Sequence, residues 1–384
     1  MRLKTRVILS AAIAAGFTGS LRADFIPGLM VMQVGGTTFT ASNSISIQEY
    51  SSTTANTTIG GSIAIPDSGP NAVSMTTVLD NHDRHLRLST DGQYLAFGAY
   101  GAAPSNTDPS TLSSASTPRV IGLVKSDGTV DVSTRLTDAY DATVIRGAFT
   151  TNGTNIWVSG DNNGGITTSG GIRFTTKGGS TTANLSHVQT TGGSPTTDNV
   201  RDNAIFDGQL YDSSGSSSSI GKAVFTVGGG SPQSGSQTQT NLTTDGASVS
   251  SFFFLDADPN TAGVDTLYTG TSTGQTLRKY NLVGGVWQAR GQITGGSDIE
   301  QVVAGLNADG TASLFFVDGG ETSVYKITDS NPYGGSLSGG LPSAFITAPA
   351  GFTFGGIALV PEPSSLGLCA LAAGTLVRRR RISK

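Results

Sequence analysis

The chain has 384 residues, of which only 13% are charged and 53 are glycine. Soluble domains average about 25% charged residues and about 7% glycine, so this is not the composition of an ordinary cytoplasmic enzyme. Its net charge of −4 conceals an uneven distribution: nine basic residues lie in the first 23 and last 25 positions, and between them 14 basic residues face 26 acidic ones, a charge near −12. Such a surface repels a phosphate backbone, and nucleic acid is excluded as a partner.

Residues 1–23 read MRLKTRVILSAAIAAGFTGSLRA. Arg2, Lys4 and Arg6 precede a short apolar run, and small residues lead to Ala23. This order predicts a signal peptide over 1–23 and an exported protein. The apolar run is shorter than the roughly 20 residues a retained anchor needs.

From residue 24 to 357 the sequence predicts one all-β domain. Short apolar runs flank Asp91-Gly92, Asp127-Gly128, Asn152-Gly153 and Asp309-Gly310. These dipeptides supply the positive φ that tight hairpins require. Weaker strand pairs occupy 204–215, 222–230 and 250–270, and 277–293 reads as two outer strands joined at Val283-Gly284-Gly285. Repeat units of roughly 45 to 60 residues match propeller blades, and six or seven would fill the domain. A β-sandwich and a β-helix are the competing folds. In architecture the blades resemble secreted and surface β-propellers. The segments GGIRFTTKGG, IFDGQLYDSSG and GVDTLYTG resemble those of uncharacterised exported bacterial propellers. That resemblance implies a fold and no chemistry.

Candidate chemistry is sparse. Asp80, His82, Asp83 and His85 form the densest polar cluster, and His82 and His85 are the residues in it that could ligate a transition metal. An extended strand would point the two histidines to opposite faces. Asp256, Asp258 and Asn260 alternate at spacing two, with Asp265 beyond, which resembles the opening of a calcium loop. Thr261 stands where such a loop has glycine, and no glutamate closes it. Ca²⁺ is therefore the one cofactor the pattern admits. Asp202, Asp207, Glu300 and Glu321 are scattered carboxylates that could act as a hydrolytic pair only if the fold gathers them. Trp157, Trp287, Tyr94 and Phe97 fit packing positions on strands. No nucleophile elbow, phosphate-binding glycine loop or H-E-x-x-H motif is present, and only three histidines are available as bases. The balance of motifs is against catalysis.

The end of the chain reads VPEPSSLGLCALAAGTLVRRRRISK. Pro361, Glu362 and Pro363 form a rigid break. An apolar run follows over 366–377, then Arg378, Arg379, Arg380 and Arg381, the order expected of a helix stopped by cytoplasmic positive charge. Residues 358–384 resemble a PEP-CTERM sorting signal. The resemblance implies recognition by the export machinery and an exosortase-type membrane enzyme, a short C-terminal hydrophobic helix, and transient anchoring in the envelope of a Gram-negative-type bacterium. As a helix the run would be about 18 Å long, against a bilayer core of about 30 Å.

The resulting expectation is an exported envelope or matrix propeller with a structural or binding role toward polysaccharide or a matrix protein. The alternative is a secreted propeller enzyme, a lyase or hydrolase of polysaccharide.

Overall fold

A computed structural model describes residues 25–35, 41–76, 84–162, 168–186, 189–191, 194–196, 198–215, 221–272 and 274–361. Six four-stranded antiparallel sheets make up the body, and successive sheets come from successive stretches of chain. Blade I is the exception, because the chain closes the ring there. Its innermost strand is Phe352–Val360, paired to Gly28–Gly35, with Ile45–Tyr50 and Thr58–Ala64 outside. The innermost strands of blades II to VI are Leu86–Leu88, Ile145–Thr150, Asn203–Phe206, Val249–Leu255 and Ile299–Leu306. Contacts run from each blade to the next and close from blade VI to blade I; they join innermost strands except between blades IV and V, where Val249–Leu255 meets the second strand of blade IV, Gln209–Ser214. This is a six-bladed β-propeller, at the lower of the two blade counts the repeat length allowed.

Hairpin chemistry sets the strand order. Asp91 accepts the Gln93 N–H at 3.0 Å and Asp309 accepts the Thr311 N–H at 3.0 Å. Each side chain thereby stands in for the backbone within its turn. Gly92 and Gly310 follow with φ of 69° and 81°, where a Cβ would be strained. Both turns join an innermost strand to its neighbour. Residues 276–283 and 286–294 are the two outer strands of blade V, joined at Gly284-Gly285 as the sequence predicts.

The core lies between blade faces. One cluster joins blades I to III, a second blades III to V, and two more close the ring through blade VI. Trp157 is buried, with its indole N–H on the Pro232 carbonyl at 2.7 Å and its ring tilted on Phe174. Phe97 is fully buried too, while Trp287 packs edge-on against Phe254 from the outer strand. The long 101–118 connection is pinned from within. Buried Arg119 lies over the Tyr100 ring and donates to the carbonyls of Ser110, Leu112, Thr117 and Thr143.

The expected C-terminal hydrophobic helix, and with it the membrane-anchored location, is corrected. Among the described residues the helical elements are two three-residue 3-10 turns, Gly69–Asn71 and Pro109–Thr111. No helix among them is long and apolar enough to cross a membrane. Residues 366–377 and Arg378, Arg379, Arg380 and Arg381, on which the anchor rests, lie outside the described residues, as do Glu362, Pro363 and the leader 1–23.

Candidate functional site at the axial mouth

The innermost strands run side by side around the axis, so their N-terminal ends meet at one end of it. Here β-bulges recur. In blades III, V and VI the register slips at Arg146, Ser250 and Glu300, one residue into each innermost strand or beside its start. A bulge re-aims the extra residue and breaks the in-out alternation. In these three blades the residue at the bulge is polar.

Two layers result. The deeper one is a buried plug across the channel. Arg87, from blade II, reaches Asp202 of blade IV through Nε at 3.2 Å and through Nη2, and reaches the Phe252 carbonyl of blade V at 2.8 Å. Asp202 also accepts Ser251 Oγ at 2.7 Å and the Asn203 N–H at 2.9 Å. Burial alone would push the Asp202 carboxyl up, but the charges of Arg87 and His85 and the hydrogen bonds hold it below the usual range. His85 Nε2 lies 3.1 Å from the Glu300 carbonyl and therefore donates to it; Nδ1 stands 3.5 Å from Asp202 Oδ1. Burial, as the largest cause, pushes His85 down.

Gln301 ties the plug to the closing blade. Its amide oxygen accepts the Leu86 N–H at 3.1 Å and the Ile357 N–H at 2.8 Å, and its amide nitrogen donates to the Leu86 carbonyl. This crossing needs Gly356. A Cβ there would lie 2.1 Å from Leu86 N and 2.4 Å from Gln301 Oε1.

The outer layer forms the mouth. Arg146 pairs with Asp161 at 3.9 Å and with the Asn199 side chain. Arg201 donates to Ser272 and is pushed down to about 10, by burial first and then by Arg146, against Glu300, Asp298 and Asp161. One guanidinium thus sits within electrostatic range of three carboxylates. Arg84 pairs with Glu321 and donates to the Thr76 carbonyl at 2.8 Å. Both partners hold left-handed backbone, φ 74° and 52°. Such strain in non-glycine residues concentrates at functional sites. Asp318 ends the strand Ala312–Asp318, opposite Ile299 and next to Glu300, and accepts the N–H groups of Thr322 and Ser323. Its carboxyl is raised by burial and, more weakly, by Glu300. Asp298 adjoins it: the Gly319 N–H donates to the Asp298 carbonyl at 2.6 Å.

The fold therefore gathers Asp202, Glu300 and Glu321, three of the scattered carboxylates, with His85 of the polar cluster. His82, Asp80 and Asp83 lie outside the described residues. Asp207 stands at the other end of the channel. Asp256, Asp258, Asn260 and Asp265 occupy one blade V loop. Asp265 turns inward to accept the N–H groups of Ala257 and Asp258, and Asp258 accepts from Asn260 and Thr261. Among the described residues no group of three or more His, Cys, Asp or Glu is placed to hold a metal. Sequence reasoning missed Arg84, Arg87 and Arg146. Their signal is positional: each stands at or beside the start of an innermost strand, which shows only when the blades are laid over one another.

At the opposite end lies a well of about 310 Å³. Leu86, Phe149, Ile205, Phe253, Val303 and Leu359 line it, one from each blade, with Arg87 of the plug also in its wall.

No family model matches the chain, and neither does any curated protein. Solved structures are similar. A chain of a nidogen/laminin complex aligns with 87% of this chain and 98% of its own at 11% identity, with a TM-score of 0.49. A soluble aldose sugar dehydrogenase from Escherichia coli aligns over 81% and 97% at 12% identity and 0.44. A glucose dehydrogenase aligns over 80% and 98% at 14% identity and 0.44. Likenesses this distant assign no activity. The expectation against catalysis is corrected by the mouth itself, which gathers the ionisable groups that the sequence left scattered.

Proposed function

We propose that the axial mouth hydrolyses glycosidic bonds of a neutral polysaccharide. The observation that carries this reading is the adjacency of two half-buried carboxyl groups at the neighbouring ends of two paired strands, Asp298 just before Ile299–Leu306 and Asp318 at the end of Ala312–Asp318, whose surroundings differ. Glycoside hydrolysis needs one carboxyl that holds its proton to protonate the leaving oxygen, and a second that is ionised to activate water or attack the sugar. Asp318 is raised by burial and by Glu300, which suits it to the acid. Asp298, within range of the Arg201 charge, suits the ionised partner. Glu300 is too buried to meet substrate and acts by positioning charge under Asp318.

Charge favours hydrolysis over elimination from an acidic polysaccharide. The domain is near −12, and the mouth arginines already face carboxylates, so little positive charge is left to neutralise a uronate. The resemblance of Pro361, Glu362, Pro363 and the four arginines to a sorting signal supports, from sequence alone, the further proposal that the export machinery and an exosortase-type enzyme are partners.

The test is release of reducing ends from a panel of neutral glycans. Asp318→Asn and Asp298→Asn should each lower kcat by about a hundredfold or more while the far-ultraviolet spectrum stays unchanged. Glu300→Gln should shift the alkaline limb of the pH–rate profile to lower pH, because Asp318 then loses its proton more easily. Binding of glycans without turnover would instead support a binding role, and failure to bind any glycan would end the saccharide reading.

A further inference from the structure

The well at the far end of the axis is open, apolar and unused by the proposed chemistry. A sixfold ring of innermost strands could close this end with side chains, as the plug closes the middle, yet about 310 Å³ remains. Pro361 is part of its wall. The closing strand ends at Val360, so the chain leaves the propeller at the rim of this cavity. The next apolar residue is Leu366, and Leu368, Leu371, Leu376 and Val377 follow it. Five residues reach at most about 17 Å, so Leu366 cannot move far from the mouth of the well. A segment tethered so closely meets it at an effective concentration in the millimolar range.

We propose that the well is the seat of the chain's own C-terminal apolar segment, residues 366–377, which lies outside the described residues. Leucine side chains of that segment fill the space between Phe149, Ile205, Phe253 and Leu359. Docking there fastens the strand that closes the ring, since the same chain runs from Val360 through Pro361 into the segment. It also keeps an apolar stretch out of water until something with higher affinity for it draws it away.

Cys369 is the only cysteine in the chain and falls inside the segment, which makes it a native probe. The measurement is the rate at which a water-soluble maleimide modifies Cys369 in the full chain, compared with a peptide of residues 362–377. The rate should be at least about tenfold slower in the full chain, which corresponds to docking about nine-tenths of the time. Ala204→Phe, which fills the well, should restore the peptide rate at every protein concentration. A second measurement uses a chain ending at Pro361, which keeps every propeller strand. It should bind the dye 1-anilinonaphthalene-8-sulfonate at one saturable site, displaced by the peptide, while the full chain binds none. Equal maleimide rates in chain and peptide would overturn the proposal. So would protection that survives Ala204→Phe, or equal dye binding by the two chains, which would mark the well as open to outside ligands.

Discussion

The two ends of the propeller axis are made from the same six strands, yet one is a charged mouth and the other an apolar well. In three blades the stretch that enters and forms the innermost strand runs from polar to apolar: Arg84-His85-Leu86-Arg87-Leu88, Arg201-Asp202-Asn203-Ala204-Ile205-Phe206, Ser250-Ser251-Phe252-Phe253-Phe254. An isolated strand on a half-wet sheet would alternate instead. The lengthwise gradient is what a ring imposes, since each strand crosses from one face of the molecule to the other. Between the ends lies the Arg87–Asp202 plug, and the comparison turns on which end it serves.

The largest effect should come from the plug itself. Asp202→Ala leaves the Arg87 guanidinium buried without its counter-charge. Breaking one partner of such a pair costs about 3–5 kcal/mol, read as a lowered midpoint in urea. Replacing both residues together, Arg87→Met with Asp202→Leu, should recover most of that loss, because the buried charges leave as a pair. If the double variant is as unstable as the single, the plug contributes shape rather than charge balance.

Next comes the crossing at Gly356, which joins mouth to well through the closing blade. Gly356→Ala should cost about 3 kcal/mol, the upper end for overpacking, because the atoms it meets are backbone and the pinned Gln301 amide. A small loss would mean that the closing strand can shift along Gly28–Gly35, and then the ring is held by its edges more than by its axis. In the well, Ile205→Ala should cost about 2 kcal/mol, the low end for a buried isoleucine. One side of Ile205 already faces a cavity, so truncation enlarges a void instead of opening a sealed one.

These contrasts bear on what a sequence can disclose. The strands and hairpins were legible because each is local: Asp91-Gly92 and Asp309-Gly310 carry their own turn chemistry within four residues. The carboxylates were visible as residues but not as a site. Asp202 meets Arg87 across 115 residues and His85 meets the Glu300 carbonyl across 215. Only closure of the ring by Phe352–Val360 creates those neighbours. The bulges at Arg146 and Glu300 were not legible either. A single extra residue leaves no mark in a strand already rich in apolar and small side chains. Of the two histidines, His85 spends its Nε2 hydrogen bond on a backbone carbonyl of blade VI, and His82 lies outside the described residues.

The smallest expected effect is on pH dependence, and it separates burial from charge within the plug. His85 is pushed below the usual 6.5 in the fold: burial lowers it, Arg87 adds to that, and Asp202 and Glu300 oppose it. A group lowered in this way favours the fold fully above pH 6.5. That contribution shrinks as pH falls below 6.5, because the unfolded chain takes the proton and the folded chain resists it. Asp202 titrates elsewhere. Its lowered carboxyl stabilises the fold above the usual 3.8 and loses that effect only as pH falls further. Asp212, raised by burial and by Asp198, has the opposite sign and favours the fold toward lower pH. The quantity to measure is therefore the difference between the wild type and His85→Gln, whose amide can still donate to the Glu300 carbonyl. Between pH 6.5 and 4 the wild type should lose stability relative to the variant. A relative gain on acidification would show that the Asp202 carboxylate 3.5 Å from Nδ1 outweighs burial. The plug would then be a three-charge network of Arg87, Asp202 and protonated His85.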